Sequence, residues 1–384
     1  MPSQDPIFFY GCPVSLYSGK VRSYLRKSQT PYTERLQSHP DYLNRIMPTV
    51  GRFVIPVVET QNGDIVQDTT EIIDFLEERS AQPFGVYPAG PKQKIIALIL
   101  EAFGDEGLLR AAMHYRWNFP EQNRHFIAME FGRTANPTAT NDDALEFANP
   151  GMTKMQAYLP GLGITPENVP VIEQSYTELL AALDAHLLVH PYLLGGKPTI
   201  ADFGLYGPMY AHLARDPAPE LLMKTTANRV WRWVERMTAS DLDKPEFPDL
   251  PDTTAPNDTI PETLLPVLQL IARDYGPEIE SLTGFINQYL DENKNIVSGA
   301  PVIENTKKRV LGRCNFNLLG SDISVGARHY SLWMLQRVHD AYDHLKTPDK
   351  TEVDTLLRLV GLDVFTQCKT SRRIARQNYK EVWV

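Results

Sequence analysis

Short apolar runs alternate with amphipathic stretches along the first eighty residues. Ile7–Tyr10 reads as a strand that Gly11–Ser15 breaks, and Val21, Tyr24 and Leu25 then recur at helical spacing. Pro31–Leu36 is a second strand and His39–Met47 a short helix. Phe53–Glu59 is a β-branched run with Pro56 in its middle. Proline removes a ladder donor, so such a strand needs an edge, a bulge or a cis bond to accommodate it. Gln61–Asp64 is a hairpin-type turn, and Ile65–Leu76 runs from a short strand into a helix. Thr69 is the expected N-cap there, with Ile72, Ile73 and Leu76 as the buried stripe. The order is βαβαββα, an alternation that needs a mixed sheet covered on both faces.

Ser80–Pro91 holds three prolines and two glycines, which is linker chemistry. Beyond it the pattern turns helical over Gln93–Trp117, Pro170–Val189 and Arg229–Met237. Phe131–Pro166, rich in Asn, Thr, Pro and Gly, is expected to be a loop or mobile insertion. Within His190–Phe203, Thr199 and Asp202 have capping-box spacing, which marks a helix start. A second linker covers residues 240–260, and Leu264–Tyr275, Glu278–Leu290 and Tyr330–Tyr342 carry helical periodicity after it.

Composition narrows the functional classes. A chain of 384 residues needs two or three folding units, and 42% hydrophobic with 22% charged residues is globular. No run is long and apolar enough for a membrane span, and no basic apolar leader opens the sequence, so a soluble, cytoplasmic protein is expected. A net charge of −9 argues against nucleic-acid binding as the main activity. The basic tail, with Lys369, Arg372, Arg373, Arg376 and Lys380, reads as a solvated face. Cys12, Cys314 and Cys368 are too scattered for a disulfide framework or a cysteine zinc site, and the nine histidines lack metal spacing, so no metal is expected.

The Pro-interrupted strand, the hairpin and the Gln67-Asp68-Thr69 helix start together resemble the second half of a thioredoxin-like domain of the cytosolic glutathione transferase superfamily. The stretch Tyr192–Phe203 (YLLGGKPTIADF) resembles the buried-helix start of that family's all-helical domain, where its role is folding. The resemblance covers about residues 5 to 245 and implies three units. These are a thioredoxin-like glutathione-binding domain at 5–82, an all-helical domain at 92–247 and a mostly helical extension at 258–384. Family members usually stop near residue 245, so the extension departs from the pattern.

In the family, glutathione lies extended along the first domain. The resemblance implies that Ile55, before cis-Pro56, pairs its backbone with the cysteinyl part, and that Asp68 and Thr69 hold the γ-glutamyl end. The physical sense stands independently of the name. A helix N-terminus offers N–H and hydroxyl donors to a carboxylate, and an aspartate pairs with an ammonium. Contact to the glycine carboxylate falls to Arg52 or His39, because the Met47–Gly51 turn departs from the family's Asn-Pro-x-Gly.

The thiolate needs a donor in the loop between the first strand and first helix. Ser15–Arg22 (SLYSGKVR) is similar to the family's SPYSxKVR, with Leu16 in place of Pro, and registers Ser15 as the active residue. Read from the other end, Cys12-Pro13-Val14-Ser15 resembles a glutaredoxin-type CPxS with Cys12 as nucleophile, while Tyr10 and Tyr17 are the hydroxyls of a tyrosine-type transferase. A serine leaves glutathione as the nucleophile toward an electrophilic carbon. A reactive cysteine favours thiol transfer through a mixed disulfide.

The electrophile is expected against the first long helix, where Glu106, Arg110, Met113, His114 and Trp117 fall on adjoining faces. The competing reading makes Met113 and Trp117 core and Arg110 an ion-paired residue. The polar and aromatic stretch Arg328–Arg337 either caps the cleft or packs as an ordinary helix. The expectation is a homodimeric, detoxifying glutathione transferase. Its rivals are a non-catalytic interaction module of the same fold and a Cys12-dependent thiol transferase.

Overall fold

The computed structural model describes residues 6–304 and 310–384. Asp5, the first residue of the expected N-terminal domain, and residues 305–309 of the extension lie outside the described residues.

The first eighty residues fold as the alternation predicts: β1 (Ile7–Tyr10), α1 (Leu16–Lys27), β2 (Tyr32–Arg35), a π-helical turn Tyr42–Ile46 running into α2 (Met47–Val50), β3 (Val57–Glu59), β4 (Ile65–Gln67) and α3 (Thr69–Arg79). The sheet order is β2-β1-β3-β4, with β1 parallel to β2 and antiparallel to β3, and β3 antiparallel to β4. Side chains alternate across the pleat. Phe9 and Val58 join Val21, Leu25, Ile72 and Ile73 on one face, while Tyr10 and Val57 meet Tyr42, Ile46 and Val50 on the other.

Among the described residues a run of helices follows, broken by one hairpin. They are α4 (Pro91–Ala102), α5 (Leu109–Trp117), α6 (Pro120–Ala135), α7 (Asn141–Gln156), α8 (Val169–His186), α9 (Ile200–Pro208), α10 (Pro217–Thr226), α11 (Asn228–Thr238), α12 (Leu265–Glu292) and, after the hairpin β5 (Arg313–Leu318) and β6 (Ser321–Gly326), α13 (His329–Asp343). The chain ends with α14 (Thr347–Val360), α15 (Val364–Gln367) and a second hairpin of β7 (Ile374–Gln377) and β8 (Lys380–Trp383). The fold is a thioredoxin-like domain, an all-helical domain and a mostly helical extension bearing two hairpins.

Three expectations are corrected. Residues 131–166 are not a loop: α6 reaches Ala135, and α7 is capped by Thr140, whose Oγ1 accepts from the N–H of Asp143 at 3.2 Å. The two helices cross closely because Gly132 has no Cβ; one placed there would meet the Ala144 carbonyl oxygen at 1.9 Å. The two stretches expected after residue 264 form the single helix α12, with Pro277 inside it. Thr69 is the first residue of α3, and Asp68 caps it through bonds from the N–H groups of Thr70 and Glu71.

Gly104 and Gly204 bring the α4–α5 region against α9 backbone to backbone; a Cβ on Gly104 would meet the Gly204 carbonyl carbon at 2.4 Å. That approach places Glu101 and Asp105 over α1. Asp202 closes α9 as the capping box predicts, accepting from the N–H of Thr199 at 2.9 Å, the N–H of Leu193 at 3.0 Å and Trp233 Nε1 at 3.2 Å.

Candidate functional site

Strand register gathers the expected site at one end of the sheet. Tyr10 pairs with Val57 and Val57 with Gln67, so the Gly11–Ser15 loop leaves β1 where Pro56 enters β3 and where Asp68 leaves β4. The Ile55–Pro56 bond is cis. Among the described residues, the backbone N–H and C=O of Ile55 make no hydrogen bond, while both neighbouring segments are paired.

Ser15 caps α1. Its Oγ accepts from the N–H of Ser18 at 3.2 Å, which leaves its hydroxyl hydrogen to donate elsewhere, and the side chain is half-buried. Cys12 is 2% exposed. Burial pushes its thiol up to about 11, although Arg22 and the N–H groups of Ser15 and Val14 favour the thiolate. Part of the Tyr17 ring reaches solvent, but its hydroxyl turns inward to the Asp105 carbonyl and Glu106 Oε1, each at 3.4 Å. Burial and then Glu106 hold that phenol well above its ordinary value. Tyr10 is fully buried and donates to Glu59 Oε2 at 3.2 Å.

Asp68 lies at φ +104, a conformation L residues rarely adopt, and its Oδ1 accepts from Thr70 N–H at 3.0 Å. Thr69 is 1% exposed, and its Oγ1 has no partner. Arg52 donates to Gln67 Oε1 at 3.0 Å. His39 folds back to accept from the N–H of Asp41 at 3.1 Å.

Two family models match the chain: the glutathione S-transferase N-terminal domain over residues 9–84 and the glutathione S-transferase C-terminal domain over residues 166–236. The chain belongs to the glutathione transferase superfamily. Residues 237–384 lie beyond both models. A possible glutathione S-transferase from Rhodopseudomonas palustris is similar at 19% identity, over 65% of this chain and 99% of that one, with a TM-score of 0.35. The β-etherase LigF from Sphingobium sp. strain SYK-6 is similar at 16% identity, over 62% and 96%, with a TM-score of 0.41. A glutathione S-transferase from Ceriporiopsis subvermispora, in complex with glutathione, is similar at 18% identity, over 61% and 98%, with a TM-score of 0.33. No curated protein matches the chain.

In this transferase-family chain the extension fills the space between the first two domains. The expected electrophile wall resolves into its structural reading: Met113 and Trp117 are core, and Arg110 is ion-paired to Glu278 of α12 and donates to the Leu162 carbonyl at 3.1 Å. His114 meets Glu173 at 3.0 Å. Glu106 takes a bond from Ser331 at 2.6 Å and pairs with Arg328 at 3.2 Å. Met334 Sδ lies 3.9 Å from Thr70 Oγ1, and Arg337 donates to Asp74 at 2.6 Å and to Tyr87 Oη at 2.7 Å. The stretch Arg328–Arg337 therefore covers the cleft.

Beneath it lies a buried charge cluster that sequence reasoning missed. Lys20 reaches Glu101 at 2.7 Å, Asp105 at 2.6 Å and Thr70 Oγ1 at 3.2 Å, with every side chain out of water. Burial would lower the ammonium's pKa, but Asp105 and Glu101 outweigh it and raise it. One cation against two carboxylates leaves a negative charge that burial opposes, and the Asp105 carboxyl is pushed up to about 7. Lys20 was legible only as a family match. Nothing in local spacing ties it to residues eighty positions on.

Arg376 was also missed. Within the basic tail Lys369, Arg373 and Lys380 are exposed, as a solvated face requires, but the Arg376 side chain is 4% exposed and ion-paired. Among the described residues, no group of three or more His, Cys, Asp or Glu could hold a metal ion, and no helix is long and apolar enough to cross a membrane.

Proposed function

We propose that this protein binds glutathione along the sheet end where β1, β3 and β4 converge, and uses Ser15 to present its thiolate to an electrophilic substrate. The observation that carries this reading is the unpaired Ile55 backbone, set between the α1 and α3 N-termini by strand register. An unmade backbone pair there suits an extended peptide, whose cysteinyl N–H would donate to the Ile55 C=O while its C=O accepts from the Ile55 N–H. Asp68 suits the γ-glutamyl ammonium, the Thr69 N–H and free hydroxyl suit its carboxylate, and Arg52 suits the glycine carboxylate.

Ser15 is the activating group on this reading. Its hydroxyl donates to the sulfur at the N-terminus of α1, which lowers the thiol's pKa. The thiol proton passes to solvent, the sulfur lone pair forms the C–S bond, and the leaving group departs with the bonding electrons. Cys12 fits a nucleophile poorly, since burial keeps its sulfur protonated. Residues 5–82 then form the peptide-binding domain, 92–247 the helical domain and 258–384 the extension. A cytoplasmic homodimer is part of the same proposal.

One observation favours a second reading, a non-catalytic module of this fold: Tyr330 and Arg376 already stand on Asp68. Retention on immobilised glutathione together with turnover of an aryl halide tests the choice. The enzymatic reading expects both, with turnover lost in Ser15→Ala. A module gives no turnover that depends on Ser15 or Cys12.

A further inference from the structure

The hairpin β7–β8 lies against the edge of β4. Tyr379 Oη donates to the Ile65 carbonyl at 3.3 Å, and Arg376 Nη2 donates to the Gln67 carbonyl at 3.3 Å and to its Oε1 at 2.8 Å. It is held from behind by Gln336, which exchanges two 2.8 Å bonds with the Ile374 backbone, and by backbone bonds from residues 299–302 to β8. Arg376 and Glu381 face each other across the hairpin in register, joined at 2.6 Å.

On the transferase side the pair meets opposite charges at Glu71, Asp68 and Arg52, and within the extension Glu381 also meets His329. The Arg376 guanidinium is 3.0 Å from Glu71 Oε1 and 3.9 Å from Asp68 Oδ2. The Glu381 carboxylate is 3.3 Å from His329 Nε2 and 3.6 Å from Arg52 Nη2. A cation thus stands before the acid expected to hold the γ-glutamyl ammonium, and an anion before the arginine expected to hold the glycine carboxylate.

We infer that the terminal hairpin is an internal stand-in for the peptide: Arg376 takes the ammonium's place at Asp68, Glu381 takes the glycine carboxylate's place at Arg52, and glutathione binds only in competition with them. The inference rests on the glutathione reading above and adds its regulation. Unmet hydrogen bonds support it. Thr69 Oγ1, Arg52 Nε and His329 Nδ1 are buried at this seam without partners. The hairpin answers the charges of the edge but leaves polar atoms that a peptide with its own carboxylates and amides would satisfy. The Glu381 carboxyl is held down to about 2, because His329, Arg376 and Arg52 together outweigh the burial that pushes it up.

Calorimetric titration of the full chain with reduced glutathione and with cysteinylglycine, which lacks the γ-glutamyl group, tests the inference. While Arg376 covers Asp68, the γ-glutamyl group adds little, so the unmodified chain should bind the two peptides within about threefold of each other. Arg376→Ala should tighten glutathione about tenfold or more and leave cysteinylglycine unchanged, because a charge-assisted contact becomes available to one peptide only. Glu381→Ala should tighten both, since they share the glycine carboxylate.

Glutathione binding to the unmodified chain more than about tenfold tighter than cysteinylglycine overturns the inference and leaves the glutathione reading standing. That comparison needs no variant to fold. Affinities unchanged in both variants overturn it in the same way. Binding of neither peptide to any form overturns the glutathione reading as well.

Discussion

Tyr330 donates its phenolic hydrogen to Oδ1 of Asp68 at 3.0 Å, across 262 positions of the chain. The same oxygen caps α3 through the N–H of Thr70, so one carboxylate serves helix, extension and expected ligand at once. Burial and then Asp68 hold the phenol well above its ordinary value, so it stays a donor at every physiological pH. Tyr330→Phe removes a bond without changing shape. It should cost about 1 kcal/mol in denaturant unfolding. It should also free an acceptor site on Asp68 and tighten glutathione about threefold by calorimetry.

Asp202 is fully buried and answers two backbone donors and the Trp233 indole. Asp202→Ala strands all three in a dry interior. The expected loss is about 3 kcal/mol or more in urea unfolding. Sited in the helical domain, the change should leave glutathione affinity in the surviving folded fraction unaltered.

Asp105 carries the pH dependence. Its folded pKa, about 7, lies above the unfolded value for aspartate near 4, so the folded state holds the extra proton between those limits. Its contribution to stability is complete below about pH 4 and is lost as pH rises through 7. Asp105→Asn keeps a neutral group beside Lys20 and Glu101 throughout. Between pH 5 and 8 the unmodified chain should therefore lose about 2 kcal/mol more stability than the variant, measured by denaturant titration at each pH.

Ser15 and Cys12 separate by substitution. Ser15→Ala should cost about 1 kcal/mol as a lost N-cap and lower turnover of an aryl halide at least about tenfold. Cys12→Ala replaces a small buried thiol and should leave turnover within about twofold. The reverse order in steady-state assays would move the nucleophile to the cysteine.

The thioredoxin-like domain and the start of α9 were legible because their signals are local. Pro56 interrupts a β-branched run, Asp68 and Thr69 open an amphipathic helix, and Thr199 with Asp202 make a capping box within one turn. The α6–α7 pair was not, because Asn, Thr, Pro and Gly read as loop chemistry, and only the contact of Gly132 with Ala144 shows why two helices pack there. At the site, the transferase-side residues came from spacing and likeness. Their partners Tyr330, Arg376 and Glu381 come from some three hundred positions away, and no window of sequence records that Arg376 faces Glu71 rather than water.

On the proposed reading, the Ile55 backbone and the Ser15 hydroxyl make one docking edge for a thiol peptide. A crystal structure of the Arg376→Ala variant soaked in reduced glutathione tests it most directly. The cysteinyl backbone should be paired with Ile55 and the sulfur should lie within hydrogen-bond reach of Ser15 Oγ. Glutathione bound elsewhere, or a sulfur bonded to Cys12, would contradict it.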